Sequence, residues 1–138
     1  MNSKTKIFAK AALFYGGKVL ILRRSDDDDY MPGEPDLPGG EINQGETVHD
    51  GLVRELSEEI GSTISRDKLQ LAYTYTSMKE NGNYVRLYFV GMLDTDQLTL
   101  SPEHDTVWWM SLDEAIEKNN HPTQNRFLRY IKDNQLLA

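Results

Sequence analysis

The stretch Gly39–Gly61, reading GGEINQGETVHDGLVRELSEEIG, most constrains what this chain can fold into. No proline falls between Glu46 and Ile60, and Val48, Leu52, Leu56 and Ile60 recur every four residues. At about 100° per residue these positions form one apolar stripe, which predicts an amphipathic helix packed on a core. Thr47, with Asp50 three residues on, is suited to start that helix, and Gly61 is placed to stop it. Glu55, Glu58 and Glu59 stand at i, i+3 and i+4, so their carboxylates share a face beside the stripe. Like charges at that spacing repel by roughly a few tenths of a kcal/mol per pair, and the C-terminal half of a helix disfavours anions. One reading is a solvated acidic face. The other is a site for a hard divalent cation, Mg²⁺ or Mn²⁺, held by grouped carboxylate oxygens.

The glutamate spacing alone leaves both open, and a longer pattern around it bears on the choice. Gly40, Glu46, Arg54, Glu55, Leu56, Glu58, Glu59 and Gly61 fall in register with the box G-x5-E-x7-R-E-U-x-E-E-x-G-U, where U is a bulky apolar residue. The chain thereby resembles the Nudix hydrolase family. Ser62 departs from the pattern at the last apolar position, which weakens packing just past the helix and touches no chemical role. A second departure lies before the glycine turn, where Pro35 and Asp36 replace a common aromatic.

With 138 residues the chain is expected to be a single domain over 1–138, long enough for a real core. Hydrophobic residues at 38% and charged residues at 27% exclude wholesale disorder. A net charge of −7 argues against extended nucleic-acid contact, though not against a small anionic substrate beside bound cations. The absence of cysteine excludes disulfides and thiolate metal sites. No apolar run reaches membrane-spanning length, and the start MNSKTK lacks a signal-peptide core, so the cytoplasm is expected.

Taken in order, Lys6–Tyr15 and Lys18–Arg24 read as two strands of a hairpin turning at Gly16-Gly17. Arg23 and Arg24 end the second strand on opposite faces, so at most one faces a cleft, where it would grip a phosphate. Ser25–Asp36 reads as a loop whose aspartates, Asp26–Asp29, are solvated. Tyr30 or Met31 there are candidates to touch a base. Gly51 projects toward the carboxylate face and leaves room for a loop or a water, whereas His49 is read as a packing residue. Leu69–Ser77 and Tyr84–Leu93 form a second hairpin, with Asn81-Gly82 as its tight turn. Of its tyrosines Tyr73, Tyr75, Tyr84 and Tyr88, one is a candidate to stack on a nucleobase. Leu98–Glu103 is a loop, and Thr106–Met110 is a short strand. Ser111 with Glu114 caps a short helix, and Pro122-Thr123 opens a last one carrying Phe127, Leu128 and Ile131. His104 is expected to be exposed. This order of elements gives an α/β or α+β class.

The resemblance adds what pattern alone cannot. It implies a mixed β-sheet sandwiched between α-helices, and a hydrolase of nucleoside diphosphates linked to another group. Glu55, Glu58 and Glu59 take metal-ligand roles, Gly39 supplies a metal-binding carbonyl, and Glu55 is the residue to activate water. Glu46 and Arg54 form a structural ion pair. Glu103 resembles a further carboxylate recruited from outside the box, with Asp105 as its substitute. A compact chain without an N-terminal extension resembles the nucleoside-triphosphate pyrophosphohydrolases more than the larger ADP-ribose enzymes. An ADP-ribose or nucleotide-sugar pyrophosphatase remains the alternative within the family, and the assembly is expected to be a monomer or homodimer. A non-catalytic nucleotide sensor would be expected to lose a box glutamate, and none is lost. A diphosphate isomerase on this fold would need cysteine chemistry, which this chain lacks.

Overall fold

A computed structural model describes residues 4–136. The chain begins with strands β1 (Lys4–Tyr15) and β2 (Lys18–Arg24), then two short strands, β3 (Pro35–Asp36) and β4 (Gly39–Glu41). Helix α1 (Val48–Ile60) comes next, then β5 (Gln70–Lys79), β6 (Gly82–Met92) and β7 (His104–Met110), and finally α2 (Leu112–Lys118) and α3 (Pro122–Asp133). The sheet is mixed. β1 lies parallel to β6 along its length and antiparallel to β2 and β4, while β2 also pairs with β3 and β7. β5 forms the edge beyond β6.

Alternation along the strands builds two cores. Ala9, Ala11 and Leu13 of β1, with Leu20 and Leu22 of β2, meet the stripe Leu52, Leu56 and Ile60 on α1. Ala12, Phe14, Val19 and Ile21 point the other way, against Ile116 of α2 and Phe127, Leu128 and Ile131 of α3. Period-two side chains on the strands thus serve α1 on one face and α2 with α3 on the other, which is the sandwich the family resemblance implies.

The helix starts and stops where local chemistry demands. The Thr47 hydroxyl accepts from the Asp50 N–H, and Gly61 closes α1 in the left-handed conformation with φ 66°. At α2, Ser111 and Glu114 form the full reciprocal capping box. Gly16 and Gly17, at φ 57° and 78°, supply the two left-handed residues of a tight hairpin. The second hairpin differs from expectation. Lys79 pairs with Gly82, so the turn is Glu80-Asn81 and Gly82 opens β6. Its glycine serves a close approach rather than a turn, since a Cβ there would lie 1.9 Å from the Lys4 carbonyl oxygen. Among the described residues no helix is long and apolar enough to cross a membrane.

The close approach of β4 to β1 seats the glycine turn beside the acidic helix. Gly39 has φ 131°, and a Cβ on it would stand 2.1 Å from the Ala9 carbonyl oxygen, so only glycine lets β4 lie there. Gly39→Ala is expected to lose about 2–4 kcal/mol of stability, from strained backbone and displaced β1 together. Urea unfolding with an unchanged midpoint would contradict that packing.

Candidate active site

The three glutamates of α1 descend from solvent to interior. Their side chains are 58% exposed at Glu58, 16% at Glu55 and 3% at Glu59. Arg54 occupies the outer two, with Nη1 3.2 Å from Glu55 Oε1 and 3.2 Å from Glu58 Oε2. The same guanidinium donates to both oxygens of Glu46, at 3.1 and 2.7 Å, and to the Glu41 carbonyl at 3.1 Å. Arg54 therefore ties the loop before α1 to the helix and also offsets the repulsion along the acidic face. Gly51 makes room for that loop, packing against Ile42 and Glu46. His49 packs edge-on to Phe89 at 5.0 Å.

Glu59 turns inward. Its Oε2 accepts from the Gly39 N–H at 3.3 Å, while its Oε1 is buried without a hydrogen-bond partner. Burial pushes its carboxyl up to about 9, with Asp36, Glu55 and Glu103 adding to the shift and Lys10 opposing it. Gly40 leaves the space that Glu55 fills, for a Cβ there would fall 2.7 Å from the Glu55 carboxylate. Among the described residues the side chains do not already converge as a three-ligand metal cluster.

His104 sits behind Glu59, and here expectation fails. It is 3% exposed rather than surface-lying, with Nε2 3.0 Å from Asp36 Oδ2. Its Nδ1 faces Glu59 Oε1 at 3.7 Å, beyond hydrogen-bond reach, and both atoms are unpartnered. Asp36 is the hub that draws His104 in. It also accepts from Lys10 at 3.0 and 3.2 Å, Arg24 at 2.8 Å and Gln124 at 2.7 Å. Burial favours its neutral acid, yet Lys10 and the His104 and Gln124 hydrogen bonds hold it well below the usual carboxylate range.

Beside this network lies a cavity of about 340 Å³. Its floor is β1 and β6, through Phe8, Lys10, Tyr84, Arg86 and Tyr88. Its walls are Gly39–Glu41, the start of α3, and the Arg24–Tyr30 loop. Arg24 lines it and lies over the Tyr30 ring at 5.3 Å. Arg23 points away, paired with Asp26 at 2.6 Å and Asp105 at 2.5 Å, so the two arginines divide as their opposite faces require. The exposed Glu103 lines the cavity mouth, whereas Asp105 is held outside by Arg23. Tyr30, Tyr84 and Tyr88 reach the cavity, but Tyr73 stacks on Phe127 and Tyr75 lies beneath Arg126.

Sequence reasoning did not single out Lys10, Asp36, Gln124 or Arg86. Lys10 left one signal, a lone cation inside the apolar run Ile7–Tyr15. The others left none, because their partners are distant in sequence.

A profile of the NUDIX domain matches residues 8–131. The chain belongs to the Nudix hydrolase family. An RNA pyrophosphohydrolase of Campylobacter jejuni is 32% identical over 128 residues, covering 83% of this chain and 80% of that protein. Nudix hydrolase 2 of Arabidopsis thaliana is 37% identical over 121 residues, covering 84% of this chain and 42% of the plant protein. The crystal structure of a MutT protein from Methanosarcina mazei superposes with a TM-score of 0.80 at 27% identity, over 97% of this chain and 98% of that one. The Nudix chain is accordingly a hydrolase of pyrophosphate bonds in nucleotide substrates, in a family that generally needs divalent metal ions.

The raised Glu59 carboxyl makes stability depend on pH. A group whose folded value, about 9, exceeds its ordinary 4.5 contributes most below 4.5, and that contribution drains away as pH rises to 9. Glu59→Gln should therefore melt above the parent at pH 8.5 in chelator and converge with it near pH 4.5. Thermal melts showing a constant gap at both pH values would contradict the assignment.

Proposed function

We propose that this Nudix hydrolase is a Mg²⁺-dependent nucleoside-triphosphate pyrophosphohydrolase, with Mn²⁺ as a working substitute. The observation that carries it is the buried, half-satisfied carboxyl of Glu59, set between the Gly39 turn and the cavity. An orphaned buried oxygen is a poor structural element, and once deprotonated it suits a hard cation. Glu55, Glu58, Glu59 and the Gly39 carbonyl are the groups to hold the ion, and Glu103 at the cavity mouth is the outside carboxylate. Glu55 and Glu58, which pair with Arg54 here, would be the outer carboxylates to hold it. The donor set is all oxygen, which suits Mg²⁺.

When bound, the ion neutralises charge on the polyphosphate and lowers the pKa of water. The chain's own residues do the rest. Glu55, close against Gly40, orients the attacking water and takes its proton, and attack runs in line at phosphorus with a phosphoanhydride oxygen leaving. Arg24 does not grip the phosphates, as the sequence suggested it could, because its donors are engaged by Asp28, Asp36 and the Tyr30 carbonyl; it shapes the opposite wall. Arg54 and Glu46 keep the loop docked on α1 and act through it, without touching substrate. The names of relatives agree with pyrophosphohydrolase activity. They include the RNA pyrophosphohydrolase and a nucleoside triphosphatase of Escherichia fergusonii that is 36% identical over 53 residues, 38% of each chain.

A panel of nucleoside triphosphates, ADP-ribose, nucleotide sugars and dinucleoside polyphosphates tests the reading, with phosphate and pyrophosphate release followed separately. Triphosphates should be cleaved fastest, with release of pyrophosphate, and excess EDTA should abolish turnover. Turnover surviving EDTA would end the metal-assisted account, and faster cleavage of ADP-ribose would move the substrate. Glu103→Gln at saturating Mg²⁺ should lose at least about tenfold in kcat, roughly 1.4 kcal/mol of barrier, whereas Asp105→Asn loses little. The reverse ranking would transfer the role to Asp105.

A further inference from the structure

The cavity holds three cationic side chains, and two of them are already spent. Lys10 and Arg24 are committed to Asp36, and Arg24 also pairs with Asp28 at 2.9 Å. Arg86 is different. It is half-buried on the cavity floor, its one protein hydrogen bond there is from Nη1 to the Ser77 hydroxyl at 3.1 Å, and no carboxylate among the described residues lies within ion-pair reach. Its guanidinium lies over the Phe8 ring at 5.9 Å, with Tyr84 edge-on to Phe8 at 6.1 Å. A guanidinium carries five N–H donors in a planar fork, so most of Arg86's hydrogen-bonding capacity stays unused in a walled site.

Position separates this arginine from the phosphate chemistry. In the sheet Arg86 pairs with Phe8, and Phe8 with Glu41, so β1 stands between Arg86 and β4. Two strand spacings, about 9–10 Å, therefore lie between Arg86 and the strand that carries the Gly39 turn. A nucleotide with its phosphates at that turn would reach Phe8 and Arg86 with its base, since all line one cavity. The fork, carried over the Phe8 ring, offers two parallel donors to a base edge.

We infer that Arg86 selects the nucleobase, favouring bases that present two adjacent acceptors on one edge. Guanine offers N7 with O6, and cytosine offers O2 with N3. Adenine places a donor beside its N7, and uracil places an N–H between its two carbonyls, so neither accepts the fork. Guanine and cytosine nucleotides are thus the preferred substrates. This rests on the proposed function only in taking the cavity as the nucleotide site.

Calorimetric titration of GMP, CMP, AMP and UMP into metal-free protein tests the inference without any hydrolysis. The parent should bind GMP and CMP at least about tenfold tighter than AMP and UMP, the discrimination one bidentate pair supplies. Arg86→Met and Arg86→Lys should both erase that gap, with GMP and CMP losing more affinity than AMP and UMP, and in Arg86→Lys the loss isolates the fork because lysine keeps the charge. Four equal parent affinities, or no binding by any of the four, would overturn the inference. So would an equal loss for all four in the variants, or a preference that survives in Arg86→Lys. Separate assays with Mg²⁺ and the four triphosphates judge the catalytic reading. A base preference without triphosphate hydrolysis overturns only that reading, and hydrolysis with flat binding overturns only the role of Arg86.

Discussion

The buried carboxylate of Asp36 ties four separate elements together beneath the cavity. An ionised group removed from water survives only where charge and hydrogen bonds replace its hydration. Here Lys10 from β1, Arg24 from β2, His104 from β7 and Gln124 from α3 converge on its two oxygens. Strand pairing spaces β1, β2 and β7, and Asp36 adds the tie that joins them to the start of α3 beside the cavity.

The same hub sets the state of the acidic helix. By holding Nε2 of His104, Asp36 aims the other ring nitrogen at Glu59 without reaching it. Two buried carboxyl groups thus sit on either side of one imidazole with opposite fates. Asp36, with two cations beside it, stays ionised, while burial and neighbouring carboxylates drive Glu59 toward its neutral acid. Environments that push two acids apart in this way divide their tasks. Asp36 serves architecture. Glu59 is left with an oxygen that none of the described residues satisfies, which is what makes it the centre of the proposed cation site.

Much of this was legible in the sequence because it is local. The four-residue apolar repeat of α1, the caps at Thr47 and Ser111, the stop at Gly61 and the Gly16-Gly17 turn each depend on residues a few positions apart. Pairing Glu46 with Arg54 needed only two helical turns. The network around Asp36 was not legible, since its partners lie 12 to 88 residues away and none belongs to a periodic pattern. His104 looked like a loop residue because the loop before it is polar, and only the distant Asp36 explains its burial. Gly82 misled for a related reason. The Asn-Gly pair has the composition of a turn, but the neighbour that demands glycine there is Lys4, on another strand. Spacing alone also made the acidic face seem to lack a counter-ion, whereas the folded chain supplies one through Arg54.

In the proposed site Glu59 is a buried neutral acid that becomes a cation ligand. Such a ligand must lose its proton as the ion enters. Titrating the protein with Mn²⁺ at neutral pH, in buffers of different ionisation enthalpy, counts protons directly. The account predicts release of roughly one proton per bound site in the parent and close to none in Glu59→Gln. A parent that binds the ion without releasing a proton, or a Glu59→Gln variant that releases as many, would contradict it.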